Sequence, residues 1–180
     1  ILQPEKVDFL CRFSTEVIQT YARALIYAGA DLLCILEPTA VILGPAQFER
    51  FSAAYVRQIL DDVHRAGIDT IYHICGNSMH LIEAMARSGV SALSLDSPQT
   101  GVDLPLAAQK AGPDVIVMGN INPTTVMKDG TADDVRKACR CLLEQMRPFP
   151  NFIMSTGCDL PPGVPLENLL AFMETVRRFT

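Results

Sequence analysis

The chain has 180 residues, 49% of them hydrophobic, which is enough for one domain with a substantial core. A formal net charge of −5 and a sequence pI near 5.1, with no block of basic residues, argue against a nucleic-acid-binding surface and leave small molecules or proteins as partners. No signal peptide and no apolar stretch long enough to span a bilayer is present, and the six cysteines lack the spacing of a small secreted domain. A reducing, cytoplasmic setting without a membrane partner is therefore expected.

The sequence opens at Ile1 rather than Met and runs at once into a helical pattern, and its mean hydropathy of +0.22 is high for a free-standing domain. Both features suggest a piece of something larger. Over residues 4–27, Val7, Leu10, Cys11, Val17, Ile18, Tyr21 and Leu25 recur at helical spacing, and Gly29 supplies the stop. Residues 30–36 form a continuous apolar run closed by Glu37-Pro38, which reads as a strand buried on both faces. A second helix is expected over about residues 45–66, ended by Gly67. The next run, Asp69-Thr70-Ile71-Tyr72, is β-branched and aromatic and reads as a strand.

The same cadence continues with helices over 79–87, 104–111, 131–146 and 165–179, separated by strands over 92–95, 115–118 and 152–154. Five strands alternating with helices imply a parallel sheet with right-handed crossovers, either doubly wound or part of a (β/α)8 barrel. The lack of Gly-x-Gly-x-x-Gly after the first strand disfavours a dinucleotide fold and favours the barrel, although five strands are too few to close eight. A single α/β domain over residues 1–180 is expected.

Every polar feature that stands out lies just past a strand: Glu37, His73, Cys75, Asp96, Asn120, Asn122 and Cys158. In either architecture such positions gather at the carboxyl edge of the sheet. On a strand, residues i and i+2 share a face, so His73 and Cys75 point the same way. Imidazole and thiolate are preferred zinc ligands, and Cys158 in a Gly-containing loop is the third candidate. Three ligands with one open position is the catalytic pattern; structural sites usually have four. The plainer alternative is that these cysteines are small buried hydrophobes. Cys139 and Cys141 lie in a helical run, where i and i+2 diverge by about 200°, and are expected to be bystanders. His64 and His80 fall in helices and are assigned packing or surface roles.

The stretches Ala28-Gly29-Ala30-Asp31, Glu37-Pro38-Thr39-Ala40, Gly44-Pro45, His73-Ile74-Cys75-Gly76-Asn77, Asp96, Gly119-Asn120-Ile121-Asn122-Pro123 and Gly157-Cys158-Asp159-Leu160-Pro161-Pro162 together resemble the uroporphyrinogen decarboxylase superfamily. More narrowly, they resemble its corrinoid methyltransferase branch, the methylcobalamin:coenzyme M methyltransferases. The decarboxylases have a His where this chain has Cys158 and an Asp-Ser pair where it has Glu37-Pro38; the methyltransferase branch has His-x-Cys followed much later by Cys, as here.

The resemblance covers essentially the whole chain and corresponds to the C-terminal half of that family's (β/α)8 TIM barrel. It implies zinc held by His73, Cys75 and Cys158, a small thiol acceptor such as coenzyme M, and methylcobalamin, carried by a corrinoid protein, as methyl donor. Glu37 is the candidate for a displaceable fourth ligand or a local base, with a solvated carboxylate as the alternative. Asp96 joins it as a catalytic candidate, and Asn120 and Asn122 as substrate-binding candidates. Asp96 and Asn120 would hold His73 in its ligating tautomer or line the pocket. For Asn122, before Pro123, an Asx-turn cap is the stronger alternative. Asp159 would support the Cys158 loop.

Two other functions fit less well. One is a cofactor-free uroporphyrinogen decarboxylase, against which Cys158 weighs. The other is a non-catalytic half-barrel that binds a corrinoid protein or a second copy of itself through an exposed apolar sheet edge and face, which makes a homo-oligomer the expected state.

Overall fold

Five short strands form one parallel sheet: β1 (Leu32–Leu36), β2 (Asp69–Ile74), β3 (Ala92–Leu95), β4 (Ile116–Ile121) and β5 (Phe152–Thr156). The structure is a computed structural model that describes residues 2–179. Strand order in the sheet equals chain order, so every crossover steps to the next neighbour in one direction. A doubly wound sheet would reverse that order at a switch point. The unreversed progression is that of a barrel wall, left open between β1 and β5.

The helices are α1 (Pro4–Tyr27), α2 (Pro45–Phe48), α3 (Ala54–Arg65), α4 (Ile82–Ala86), α5 (Leu104–Ala111), α6 (Ala132–Met146) and α7 (Leu166–Arg178). Between their layer and the sheet lie the fully buried Phe48, Leu60, Tyr72, Ile74, Leu93 and Leu95, with the Phe48 and Tyr72 rings stacked at 6.3 Å. Alternate strand residues point to the opposite, open face. There Leu32, Leu36 and Ile153 are 49%, 64% and 46% exposed. Among the described residues no helix is long and apolar enough to cross a membrane.

Several sequence expectations shift. The first strand is not buried on both faces: β1 pairs only with β2 and alternates between half-buried and exposed residues, because one of its faces looks onto the open side of the sheet. The helix expected over 45–66 is interrupted by a π-turn, Glu49–Ala53, between α2 and α3. The helix expected over 79–87 is cut to α4, because Asn77 accepts the Met79 N–H and Ser78 the Leu81 N–H in a preceding turn. β4 continues past Met118 to Ile121, which places Asn120 inside the strand.

Helix α6 begins with a capping box in which Thr131 and Asp134 satisfy each other's backbone N–H groups. Its Cys139 is buried and its Cys141 exposed, so the two do not share a site.

Candidate metal centre

The register of β1, β2 and β3 aligns Leu36, His73 and Ser94 across the sheet. His73 is 8% exposed, and its Nδ1 lies 3.0 Å from the Ser94 carbonyl oxygen and 3.1 Å from Ser94 Oγ. A carbonyl can only accept, so Nδ1 carries the proton and Nε2 is left with its lone pair. That Nε2 is 3.2 Å from Cys75 Sγ and 3.9 Å from Cys158 Sγ, and the two sulfurs are 3.9 Å apart.

The sulfur–sulfur separation is that of a tetrahedral ion, and the two nitrogen–sulfur separations lie on either side of the ideal one. Zinc bonds of about 2.0–2.1 Å to nitrogen and about 2.3 Å to sulfur put N and S about 3.6 Å apart and two sulfurs about 3.8 Å apart. A disulfide would need about 2.05 Å. Among the described residues this is the one set of three His, Cys, Asp or Glu donors that converges in this way, and no carboxylate joins it. Three such donors would occupy three of the four positions of a tetrahedral ion. Without a cation, burial pushes the Cys75 thiol up to about 11, with Cys158 beside it and the Asp96 and Asp159 carboxylates adding to the effect. Ligation acts in the opposite direction, because a metal binds the thiolate.

The loops that carry the sulfurs are tied to one another. Gly76 turns the chain straight after Cys75 at φ +78°, a conformation that favours glycine. Its N–H donates to Asp96 Oδ2 at 2.6 Å, and the other carboxylate oxygen accepts the Ser97 N–H at 2.6 Å. Buried Asn120 donates to the Asp96 carbonyl at 2.9 Å. On the far side, the Gly157 N–H donates to the Ile121 carbonyl at 2.8 Å, and Thr156 Oγ1 donates to the Cys158 carbonyl at 2.8 Å. A Cβ on Gly157 would stand 2.4 Å from the Ser97 nitrogen, so the β5 loop reaches Cys158's position only because residue 157 has no side chain.

The other candidates fall elsewhere. The Glu37 carboxylate accepts from the hydroxyls of Ser52 and Tyr72, among the side chains under α1 and α3, and takes no part in the three-donor cluster. Burial, reinforced by that carboxylate, raises the Tyr72 phenol well above its ordinary value. Asn122 spends its oxygen on the Thr124 and Thr125 N–H groups at 2.8 and 2.7 Å and its amide on Gln99 at 2.9 Å, which is a loop cap. With Asn120 it borders a separate cleft of about 780 Å³ between α5 and α6. His80 donates from Nε2 to the Leu43 carbonyl at 3.0 Å and, like His64, is exposed.

Sequence reasoning missed Ser94 and Ser52, and it placed Gly157 in the Cys158 loop without its packing role. Ser94 becomes visible only once β2 and β3 are in register, Ser52 lies in the π-turn, and Gly157 matters through a close approach between two loops.

A family model described as uroporphyrinogen decarboxylase (URO-D) matches residues 1–179. Methylcobamide:CoM methyltransferase MtbA of Methanosarcina mazei is 30% identical over 178 residues, covering 98% of this chain and 49% of that protein. A uroporphyrinogen decarboxylase of Synechococcus sp. is 30% identical over 175 residues, covering 96% and 48%. A solved methyltransferase from Methanosarcina mazei superposes with a TM-score of 0.80 at 25% identity, over 92% of this chain and 47% of that chain. The chain thus spans about half the length of the relatives it matches.

Proposed function

The chain belongs to the uroporphyrinogen decarboxylase family, and within that family we propose that it serves zinc-dependent methyl transfer from a methyl-corrinoid, methylcobalamin carried by a corrinoid protein, to a small thiol. The observation that carries this reading is the triangle of His73 Nε2, Cys75 Sγ and Cys158 Sγ, which has the spacing of three zinc ligands and would fill three of the four positions of a tetrahedral ion. The MtbA relatives, named as methyltransferases, support it.

When bound there, zinc supplies a Lewis acid that favours the thiolate form of an acceptor thiol. The chain's own residues provide position. Ser94 holds the His73 tautomer, Asp96 fixes the turn after Cys75, and the close packing of Gly157 on Ser97 sets the height of Cys158. The donors open onto a cavity of about 440 Å³ on the open face of the sheet, where an acceptor can approach. In the transfer, the acceptor thiol would first lose its proton to solvent, and its sulfur–carbon bond would form as the cobalt–carbon bond of the methyl-corrinoid substrate breaks, the bonding pair staying with cobalt. Glu37, anchored on Ser52 and Tyr72, stabilises the end of β1 beside His73, whose carbonyl accepts the Glu37 N–H at 3.0 Å.

The experiment is loss of methylcobalamin absorbance in the presence of zinc-loaded protein and a thiol. Transfer that disappears in Cys158→Ser supports the reading. Equal transfer in that variant, or decarboxylation of a tetrapyrrole by the unaltered chain, overturns it.

A further inference from the structure

We propose that the cleft between α5 and α6 is a second binding site, one that takes a carboxamide carried on an apolar frame. The site lies outside the metal centre, and nothing in it depends on methyl transfer.

This cleft belongs to the middle of the wall and not to its open side. It is walled by the loops that follow β3 and β4 together with α5 and α6. Both strands have a neighbour on each side, α5 packs on α4, and α6 packs on α7. Its volume of about 780 Å³ falls within the range of small-molecule pockets, about 300–1,000 Å³.

One buried side chain calls for a ligand there. Asn120 is 1% exposed, and its Nδ2 donates to the Asp96 carbonyl at 2.9 Å. A carbonyl can only accept, so the amide cannot be turned round, and Oδ1 stands at its other end. Among the described residues no group donates to that oxygen. Two buried polar side-chain atoms are sealed without a partner, Ser78 Oγ and Asn168 Oδ1; Asn120 Oδ1 is not one of them, and it reaches the cleft that Asn120 lines. It is a fixed acceptor that a ligand's N–H can fill.

Gln99 supplies the opposite group. Its Oε1 accepts from Asn122 Nδ2 at 2.9 Å, which leaves its Nε2 as a donor on the same cleft. An acceptor and a donor together are the complement of a carboxamide, which offers an N–H and a C=O. The buried Leu104, Ile121 and Leu142, also in the lining, give apolar surface for the ligand's frame. Cys141 lines the cleft and is exposed, so its thiol reports occupancy.

The test uses two probes, cyclohexanecarboxamide and methyl cyclohexanecarboxylate, which share the ring and the carbonyl but differ in the N–H. The rate at which N-ethylmaleimide labels Cys141 is followed by peptide mapping of the zinc-loaded chain as either probe is titrated. The amide should slow labelling of Cys141, with a half-protecting concentration about two- to tenfold below that of the ester. Labelling of Cys34, which lines the metal-centre cavity, should not change. Asn120→Ala should make the two probes equal. Ala138→Phe, which fills the cleft from α6 without touching Asn120, should abolish protection by both, and it decides the matter if Asn120→Ala does not fold. No protection by the amide, equal protection by amide and ester in the unaltered chain, or protection that survives Ala138→Phe overturns the proposal. Each of these results leaves the metal centre and the methyl-transfer reading untouched.

Discussion

The carboxylate of Asp96 accepts the Gly76 N–H at 2.6 Å, so the residue that follows one sulfur donor is held by the end of the neighbouring strand. The same carboxylate takes the Ser97 N–H at its other oxygen. Asp96→Asn keeps the size but replaces one acceptor with a donor, which then faces a backbone N–H. Zinc affinity is expected to fall about ten- to hundredfold, read by competition with a chromogenic chelator, while the circular dichroism spectrum stays the same. Unchanged affinity would mean that the turn after Cys75 does not depend on Asp96.

Glu37 is anchored by two hydroxyls, and one of them belongs to the fully buried Tyr72. Tyr72→Phe keeps the stacking on Phe48 but removes a donor, and the expected cost is about 1–3 kcal/mol in denaturant unfolding with zinc content unchanged. Loss of zinc would instead tie Glu37 to the metal. The pH dependence has a definite sign. The fold favours the neutral phenol, so the stability from Tyr72 is complete below the ordinary tyrosine value of 10.0 and is lost as pH rises above it. The gap between the two proteins should therefore narrow in strong alkali.

The two cysteines of α6 should behave as opposites. Cys139 is buried, and burial alone raises its thiol to about 11, whereas Cys141 is exposed. Iodoacetamide at pH 8 followed by peptide mapping should modify Cys141 and spare Cys139. In zinc-loaded protein Cys75 and Cys158 should also be spared, and should react once a chelator is added. Labelling of Cys139 before Cys141 would contradict the helix orientation.

An open sheet leaves surface that a closed molecule would not. The accessible area is 9991 Å², against about 8,600 Å² for a folded monomer of this mass. The excess of about 1,400 Å² is the scale of a stable interface, and the large apolar side chains exposed on α1 include Phe9, Phe13 and Tyr21, each about 60–65% exposed. A second copy of the chain is the proposed occupant. Light scattering should give at least twice the 19.7 kDa of one chain, and the double variant Phe13→Glu, Tyr21→Glu should give one chain's mass. A monomer at all concentrations before substitution would contradict this.

Much of the fold was legible because periodicity reports local structure. The helix over residues 4–27 and the strand over 92–95 coincide with α1 and β3, and the one-direction succession of strands agrees with the barrel reading. What sequence could not convey depended on partners far along the chain. Continuous hydrophobicity in β1 implied burial on two faces, but its burial is set by which strand lies beside it, and only β2 does. The convergence of His73, Cys75 and Cys158 was expected from strand parity and family resemblance together. The destination of Glu37 was not, because Ser52 reaches it from a π-turn that periodicity had smoothed into one helix. Asn122 followed local chemistry: an Asn before Pro forms a cap, and it does.

The most direct measurement is elemental analysis of protein purified without chelator or added zinc, alongside Cys75→Ser and Cys158→Ser. About one zinc per chain, lost in both variants while the fold is retained by circular dichroism, is the expected result. No metal in the unaltered chain, or zinc that persists in either variant, would contradict a centre built on His73, Cys75 and Cys158.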